Sequence, residues 1–287
     1  MKIETALARF LTQLEADGRS PHTIDQYRRQ IGHLAGFSGS RTVEALTHED
    51  IARYLASPSA RTKLDGTPKK ATSMNVRRSC VRTFFRYVHE AGYTTTNPAR
   101  LVRRAPCGTA PPRTLSPGEQ VRLLKTIASA RGPQARRDHM LFHLMLATGI
   151  RLGSALALEL RSVDLDRREL RIERTKGNRP EVVFLGRAVR AHLRRYMTCR
   201  GPGFLFEGRG PNPLCGRQAQ RRLEIWLEEA RISRRVSPHS LRHSFATDLY
   251  RRSGDLFLVK EALQHRSIAS TIVYTPMEDR RLRAVLQ

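Results

Sequence analysis

"SPHSLRHSFAT", residues 237–247, predicts the start of a helix that bears an anion site. It opens with a serine and a proline, which suit the N-cap and the first helical position. His239, Arg242 and His243 follow at spacings i, i+3 and i+4, so they project from one helical face. Helix N-termini attract anions, and two imidazoles and a guanidinium strengthen that tendency. Metal binding through the two histidines is an alternative, although no third ligand is evident.

A second cationic position is Arg151, which follows the helix-ending glycine of "ATGIRLG" and precedes a predicted apolar helix at 152–160. An arginine that opens an apolar helix is expected to be partly buried. It then needs a carboxylate or phosphate partner. The alternative to a phosphate is a structural salt bridge to Glu159 or Asp164.

Upstream of the helix, the sequence predicts a β-hairpin. Apolar and β-branched residues at 170–172 and 182–184 indicate two strands, and Gly177–Asn178 indicates the turn. Lys176 precedes that turn. A lysine at a hairpin tip is ordinarily solvated, and this is the simpler interpretation of Lys176 by itself.

The stretch "LQHRSIASTIVYT", residues 263–275, places His265 and Tyr274 on either side of several hydroxyl residues. It contains no carboxylate and no cysteine. Taken alone, Tyr274 is most simply a half-buried aromatic residue.

The charge of the chain favours a polyanionic partner. Its 287 residues include 52 Lys and Arg against 26 Asp and Glu, which gives a formal net charge of +26. Such an excess destabilises a compact fold unless a polyanion is bound, and nucleic acid is the obvious candidate. A membrane surface is a weaker alternative, because membrane-surface proteins usually concentrate their charge in one amphipathic segment.

Cysteine usage and the apolar runs favour a soluble, cytoplasmic protein. The four cysteines form no C-x-x-C pair, so we expect reduced thiols rather than a zinc site or disulfides. The first residues lack a signal-peptide core, and the longest apolar run is too short to span a membrane.

A Pro- and Gly-rich stretch at 105–115 predicts a linker between two domains, 1–104 and 116–287. Helical periodicity and caps dominate the first domain. The second mixes helices with the hairpin. The fold class is therefore mainly α with a small antiparallel β-sheet.

The last helix of the first domain, at about 72–91, carries arginines at every fourth position: Arg78, Arg82 and Arg86. Like charges at this spacing are mildly destabilising. The row is either an ordinary solvated face or a face that lies along DNA phosphates. The same helix is predicted to bury Val76, Cys80, Val81, Phe84 and Val88.

Four segments, in this order, resemble the tyrosine recombinase (phage integrase) superfamily. "ATGIRLG" resembles its T-G-x-R box and "TKGNR" its hairpin lysine. "HSLRHSFAT" resembles its H-x-L-R-H-x-F-A-T box, and "LQHRSIASTIVYT" its L-G-H-x-S-I-x-x-T-x-x-Y-T box. Compact Xer-type and transposon- or plasmid-encoded members are most similar. The resemblance implies an N-terminal SAM-like four-helix core-DNA-binding domain and a C-terminal mixed α/β catalytic domain.

The resemblance implies a site-specific DNA recombinase that keeps the energy of each cleaved phosphodiester bond in a 3′-phosphotyrosyl ester. Forming the phenolate at pH 7 costs about 4 kcal/mol from an ordinary pKa of about 10. Arginine forks on nonbridging oxygens return roughly 1.5–3 kcal/mol per charge-assisted bond, so no cofactor or metal is expected. The implied catalytic set is Arg151, Lys176, His239, Arg242, His265 and the nucleophile Tyr274.

The remaining roles also come from the resemblance. Lys176 would protonate the 5′-oxygen leaving group, His239 would take the tyrosine proton or bond the phosphate, and His265 would donate to a nonbridging oxygen. Two positions depart from the family pattern. Ser154 replaces an acidic residue, which affects fine positioning, and Gln264 replaces the glycine before His265, which affects the local turn.

The family also implies a homotetramer on double-stranded DNA that passes through a Holliday junction. The tail "PMEDRRLRAVLQ" would dock in trans on a neighbouring protomer, with a related recombinase as the alternative partner. Two other functions stay open: a type IB topoisomerase-like nicking-closing enzyme, and an architectural DNA-binding protein with a vestigial site. We expect the protein to be associated with the bacterial nucleoid or a plasmid.

Overall fold

In a computed structural model of the chain, residues 1–108, 112–172, 181–198 and 201–264 are described. The chain divides into two compact units, Met1–Gly108 and Thr109–Gln287. The division falls within the predicted linker, while the domain limits 1–104 and 116–287 stay a prediction. The predicted fold class is confirmed, since the structure is mostly helical with one three-stranded antiparallel sheet in the part that is described.

The first unit is helical throughout, with four longer helices and one single-turn helix. Ser20 caps α2 by accepting from the Thr23 amide, and Thr47 opens α3 with a capping box to Asp50. These caps are the ones that the sequence predicts, because short hydroxyl side chains satisfy the free amides of a helix start. The helices are α1 Ile3–Ala16, α2 Pro21–Ser38, α3 His48–Ala56, α4 Pro58–Arg61 and α5 Ala71–Glu90.

The buried face of α5 differs from the predicted one in its first turns. Val76 is 41% exposed, so the expectation that it is buried is wrong. Arg77 is buried in its place, because its guanidinium finds acceptors on Gln30 and on the Ala60 carbonyl. Further along the helix the prediction holds for Cys80, Val81, Phe84 and Val88.

The second unit surrounds α7, which is apolar on almost every side, as a central helix should be. Its residues Met140 to Met145 are fully buried apart from His143. It packs against α6, α9 and α11. The helices of this unit are α6 Pro117–Ser129, α7 Pro133–Thr148, α8 Leu152–Leu156, a 3₁₀ turn Leu160–Ser162, α9 Arg187–Met197, α10 Gly216–Glu229, α11 Pro238–Ser253 and α12 Leu256–Leu263.

The sheet has the order β1-β2-β3, with β1 Val163–Asp164, β2 Glu169–Ile172 and β3 Glu181–Phe184. Leu170 pairs with Val183, and both face the core. The two predicted strands are therefore confirmed, while the predicted turn at 177–178 lies outside the described residues. The apolar helix expected at 152–160 is shorter than predicted, because the chain leaves α8 after Leu156.

Candidate active site

The site is built around the first turns of α11. Ser237 is the N-cap residue and its amide donates to the Ser240 Oγ at 3.1 Å, as a capping box requires. The helical spacing brings His239 and His243 together, with ring centroids 4.4 Å apart in an edge-to-face arrangement. His239 is exposed, whereas Arg242 on the same face is only 4% exposed. The predicted cluster on one helical face is therefore present.

Arg242 is held by two backbone carbonyl groups from different parts of the chain. Its Nη1 donates to the Gly149 oxygen at 2.7 Å and its Nη2 to the Leu263 oxygen at 2.5 Å. Gly149 ends α7 and Leu263 ends α12. The guanidinium thus joins the C-terminal ends of two helices to α11, and its orientation is fixed before any ligand binds.

Gly149 allows this close approach because it has no side chain. Its φ of +66° is left-handed, which glycine adopts without strain. A Cβ added there would lie 2.4 Å from the Phe245 ring and 2.9 Å from Leu263. Only glycine therefore fits between α7, α11 and α12, and the turn that it makes leads directly to Arg151.

Arg151 is the N-cap residue of α8, and its side chain is 40% exposed. Its Nη1 lies 3.4 Å from a carboxylate oxygen of Glu181, the first residue of β3. The alternative partners predicted from the sequence are wrong within the described residues, since Glu159 pairs with Arg161 and Asp164 with arginines of its own hairpin.

The electrostatics of the site keep His239 neutral. Loss of hydration lowers the pKa of this imidazole below its usual value, and the positive charges of Arg242 and Arg151 lower the pKa further. The ring is therefore unprotonated at neutral pH and able to accept a proton or a hydrogen bond. The contact of Arg242 with Gly149, two residues before Arg151, brings Arg151 close to the helix that carries His239 and Arg242.

The other three predicted catalytic residues, Lys176, His265 and Tyr274, lie outside the described residues. The described chain ends that flank them do belong to the site. Residues 173–180 lead into Glu181, the partner of Arg151, and residues 265–287 follow Gln264, next to the carbonyl that Arg242 binds.

Sequence reasoning missed Glu181. A signal was available, since the acidic residue expected near Arg151 is Ser154 here and an arginine in this position needs a carboxylate from elsewhere. The strand that supplies it could not be identified without the sheet register.

The three arginines of the row on α5 differ in their exposure and in their side-chain partners. Arg82 is exposed, Arg78 is half-buried and donates to the Asn75 side chain at 3.2 Å, and Arg86 lies 4.0 Å from Glu90. The row therefore presents cationic groups at the surface of the first unit, and its contact with DNA stays a prediction.

Among the described residues, no group of three or more His, Cys, Asp or Glu side chains is arranged to hold a metal ion. In the same part of the chain, no helix has the length and apolar character needed to cross a membrane.

The structure consists of two mainly helical units, and the second carries a candidate anion site of two arginines and an imidazole. Comparisons with known proteins identify the family to which such a chain belongs. Residues 113–281 match the model of the phage integrase family, and residues 7–92 match that of the phage integrase N-terminal SAM-like domain.

Two curated relatives match along nearly the whole chain. The tyrosine recombinase XerC of Alcanivorax borkumensis is 33% identical over 284 residues, which cover 96% of this chain and 90% of the relative. The XerC of Chromobacterium violaceum is 32% identical over 287 residues, which cover 99% and 93%. The chain belongs to the phage integrase family, and it is a tyrosine-type site-specific recombinase of the Xer kind.

Solved structures support the fold. The Tn1549 transposon integrase in complex with a circular intermediate DNA has a TM-score of 0.76 and 16% identity, with all of both chains covered. The lambda integrase dimer bound to a COC′ core site has a TM-score of 0.75 and 20% identity, over 94% of this chain and 97% of that one. The XerH recombinase bound to its difH substrate has a TM-score of 0.73 and 20% identity, over 98% and 83%.

Proposed function

We propose that this recombinase cleaves and rejoins strands of a specific duplex DNA site through a 3′-phosphotyrosyl link to Tyr274. Two such sites exchange strands through a Holliday junction within a homotetramer. The protein works without a cofactor in the cytoplasm, on nucleoid or plasmid DNA. The exposed arginines of α5 contact the DNA backbone, whose charge favours such cations irrespective of base sequence.

The observation that carries this proposal is the convergence of Arg151, His239 and Arg242. Arg242 is oriented in advance by two carbonyl groups, so little reorganisation is needed when a phosphate arrives. The Arg151 guanidinium is partly exposed and uses its Nη1 on Glu181, so its other N–H donors can face the same phosphate. Two forks on nonbridging oxygens stabilise the charge that develops as the phosphodiester is attacked.

Proton transfer accounts for the other groups. His239 is neutral, so it can accept the phenol proton of Tyr274 or a hydrogen bond from it. Lys176 protonates the departing 5′-oxygen, and His265 donates to a nonbridging oxygen. These assignments of Lys176, His265 and Tyr274 rest on the sequence boxes in which they lie.

The decisive experiment uses a suicide DNA substrate, nicked so that the cleaved end diffuses away. The wild-type protein is expected to accumulate a covalent protein–DNA adduct, and Tyr274→Phe is expected to form none, because the nucleophilic oxygen is absent. Tyr250→Phe, on the described part of α11, is a matched control that should form the adduct normally. Absence of the adduct in the wild type, or its persistence in Tyr274→Phe, would overturn the mechanism.

The tetramer requires an acceptor for the C-terminal tail. A cavity of about 870 Å³ in the second unit lies between α10 and the start of α11. It is lined by apolar side chains such as Leu227 and Ile232 and by several arginines, including Arg231. The tail combines apolar residues with Glu278, Asp279 and three arginines. The cavity offers the carboxylates of Glu224 and Glu228 as well as arginines, so apolar and charged partners are available on both sides. We propose that the tail of one protomer docks here on its neighbour.

Strand joining between two sites tests this assembly. Deletion of residues 276–287, or Arg231→Glu at an exposed position of the cavity lining, is expected to leave cleavage of a single suicide site intact and to abolish joining of two separate sites. If the full-length protein relaxes and reseals DNA but never joins two sites, a nicking-closing enzyme is the correct assignment. If the truncated protein joins sites at the wild-type rate, docking of the tail is not required.

A further inference from the structure

The last described residue of α12 adopts a conformation that its side chain does not favour. Gln264 has φ +52° and ψ +46°, which is the left-handed region. Glycine is the usual residue in this position at the end of a helix, and asparagine is the common substitute. A glutamine there carries backbone strain, and such strain persists where contacts with the surrounding structure hold the residue in place.

The side chain of Gln264 makes a contact across 82 residues of sequence. Its Nε2 donates to the Val182 carbonyl oxygen at 2.7 Å. Val182 lies on β3, the edge strand of the described sheet, whose outward carbonyl groups have no further described strand to bind. The Gln264 Oε1 is buried and finds no donor within residues 1–264 as far as these are described. The side-chain amide of Gln264 is therefore held through its Nε2 group, which binds the Val182 carbonyl.

The same end of α12 is held from the other side by Arg242. The carbonyl of Leu263, one residue earlier, accepts from the Arg242 Nη2, while the Arg242 Nη1 binds Gly149. The orientation of the Arg242 guanidinium thus depends on where the end of α12 lies. The bond from Gln264 to β3 holds that end against the sheet, together with the packing of Leu263 on α11.

The strand that Gln264 binds also holds the second arginine. Glu181 precedes Val182 on β3 and pairs with Arg151, and Arg151 is two residues beyond Gly149. The contacts and the chain between them close a ring. Its members, in order, are Arg242, Leu263, Gln264, Val182, Glu181, Arg151 and Gly149.

We propose that Gln264 is a positioning residue for strand cleavage. Its amide closes the ring that fixes the Arg151 and Arg242 guanidiniums relative to each other, so that both meet the nonbridging oxygens of one phosphate. Catalysis depends on such geometry, since a misplacement of about 1 Å can slow a reaction roughly a hundredfold. This inference rests on the proposed strand-cleavage function, because it concerns the two arginines of that site.

The test compares Gln264→Gly with Arg168→Gly in single-turnover cleavage of the suicide substrate at saturating protein. Arg168 is the matched control, since it is also left-handed, with φ +59°, and lies in the β1–β2 turn outside the ring. Both changes relieve backbone strain. Gln264→Gly is expected to keep its thermal stability and its affinity for DNA but to cleave about tenfold more slowly, and Arg168→Gly is expected to cleave normally. Cleavage by Gln264→Gly at the wild-type rate would overturn the proposal.

A second variant keeps the test decisive if the glycine variant folds poorly. Gln264→Glu has the same size, but an ionised carboxylate cannot donate to the Val182 carbonyl. A protonated carboxyl can. Its cleavage rate relative to wild type is therefore expected to be low at neutral pH and to recover as the pH falls. A relative rate that does not change with pH would also overturn the proposal.

Strand cleavage by the protein and the positioning role of Gln264 can be tested separately. A wild-type protein that forms no covalent adduct contradicts the proposed function itself. A wild-type protein that cleaves, together with Gln264 variants that cleave equally well at every pH, contradicts only the positioning role.

Discussion

Two buried arginines, one in each unit, make the same kinds of hydrogen bond but have different surroundings. Arg77 on α5 is 5% exposed and donates to the Gln30 side chain at 2.9 Å and to the Ala60 carbonyl at 2.7 Å. Arg242 on α11 is 4% exposed and donates to two carbonyl groups. Burial and carbonyl acceptors therefore do not by themselves identify a catalytic arginine.

The neighbours distinguish the two sites. The Arg77 guanidinium lies 5.7 Å from the ring centre of Tyr54, and burial raises the pKa of that phenol to about 12 although Arg77 opposes the shift. Tyr54 is fully buried, so it stays a protonated core residue. Arg242 instead has an exposed, neutral imidazole on its own helix and shares a region with Arg151. Arg151 and His239 reach solvent beside Arg242, an arrangement that can receive an anion. Arg77 binds Gln30 and Ala60 against the buried Tyr54 ring and has a structural role.

The comparison predicts its largest effect for Arg242→Lys. Lysine retains the charge but loses the fork that binds two carbonyl groups and, in the proposed function, a phosphate. At roughly 1.5–3 kcal/mol per charge-assisted bond, loss of one such bond should slow suicide-substrate cleavage by about ten- to a hundredfold. Arg252→Lys, exposed on the same helix, should cleave normally. Equal rates for the two variants would show that Arg242, like Arg77, is only structural.

The arginines beside Arg77 are expected to affect binding rather than chemistry. Replacing Arg78, Arg82 and Arg86 together by glutamine should weaken DNA binding. It should also reduce the slope of log affinity against log salt by about 0.9 for each phosphate that is no longer neutralised. Titrations at several salt concentrations measure this slope. Arg19→Gln, exposed just after α1, serves as the control. An unchanged slope in the triple variant would show that the row is an ordinary solvated face that does not contact DNA.

Arg77→Met should lower the stability of the first unit and leave the chemistry unchanged. The substitution removes the hydrogen bond to Gln30 and one of the two donors to the Ala60 carbonyl, which Lys69 also binds at 2.9 Å. A hydrogen bond to a charged group contributes roughly 1.5–3 kcal/mol. Denaturant unfolding measures this loss, with Arg53→Met as an exposed control on α3. Cleavage at saturating protein, well below the unfolding temperature, should stay at the wild-type rate. A large loss of cleavage in a folded Arg77→Met protein would show that Arg77 is not only structural.

A smaller, pH-dependent effect is expected at three half-buried imidazoles of the second unit that lie outside the candidate site. The His192 ring centroid lies 4.5 Å from that of His139 and 5.1 Å from that of His143, and burial lowers its pKa to about 4, with help from both neighbours and Arg195. In the unfolded chain this imidazole takes up its proton at about pH 6.5. The unfolded state therefore binds more protons between the two values, and stability falls as the pH drops from about 6.5 toward 4.

His192→Gln should reduce this dependence. The free energy of unfolding, measured across that range, should decline less steeply with acid than in the wild type. His48→Gln, exposed on α3, should leave the decline unchanged. If both variants decline as the wild type does, His192 does not contribute to the acid sensitivity of the fold.

Local sequence signals predicted much of the architecture. The caps at Ser20, Thr47 and Ser116 are each found where short hydroxyl residues precede a helical pattern. Strands β2 and β3 follow their apolar and β-branched residues. Local signals did not predict which side chains are buried where partners distant in sequence determine the burial. Arg77 is buried in place of Val76 because acceptors are available from α2 and α4, and neither acceptor is visible in the α5 sequence.

The residue types of the candidate site, their order and their helical spacing were determined by the sequence alone. The spacing of His239 and Arg242 on one face of α11 follows from the period of the helix, whatever the rest of the fold does. Only the tertiary structure decided that Arg151 pairs with Glu181 and that Gln264 reaches Val182. These contacts join segments that are distant in sequence, and their geometry comes from packing around α7 rather than from any local propensity.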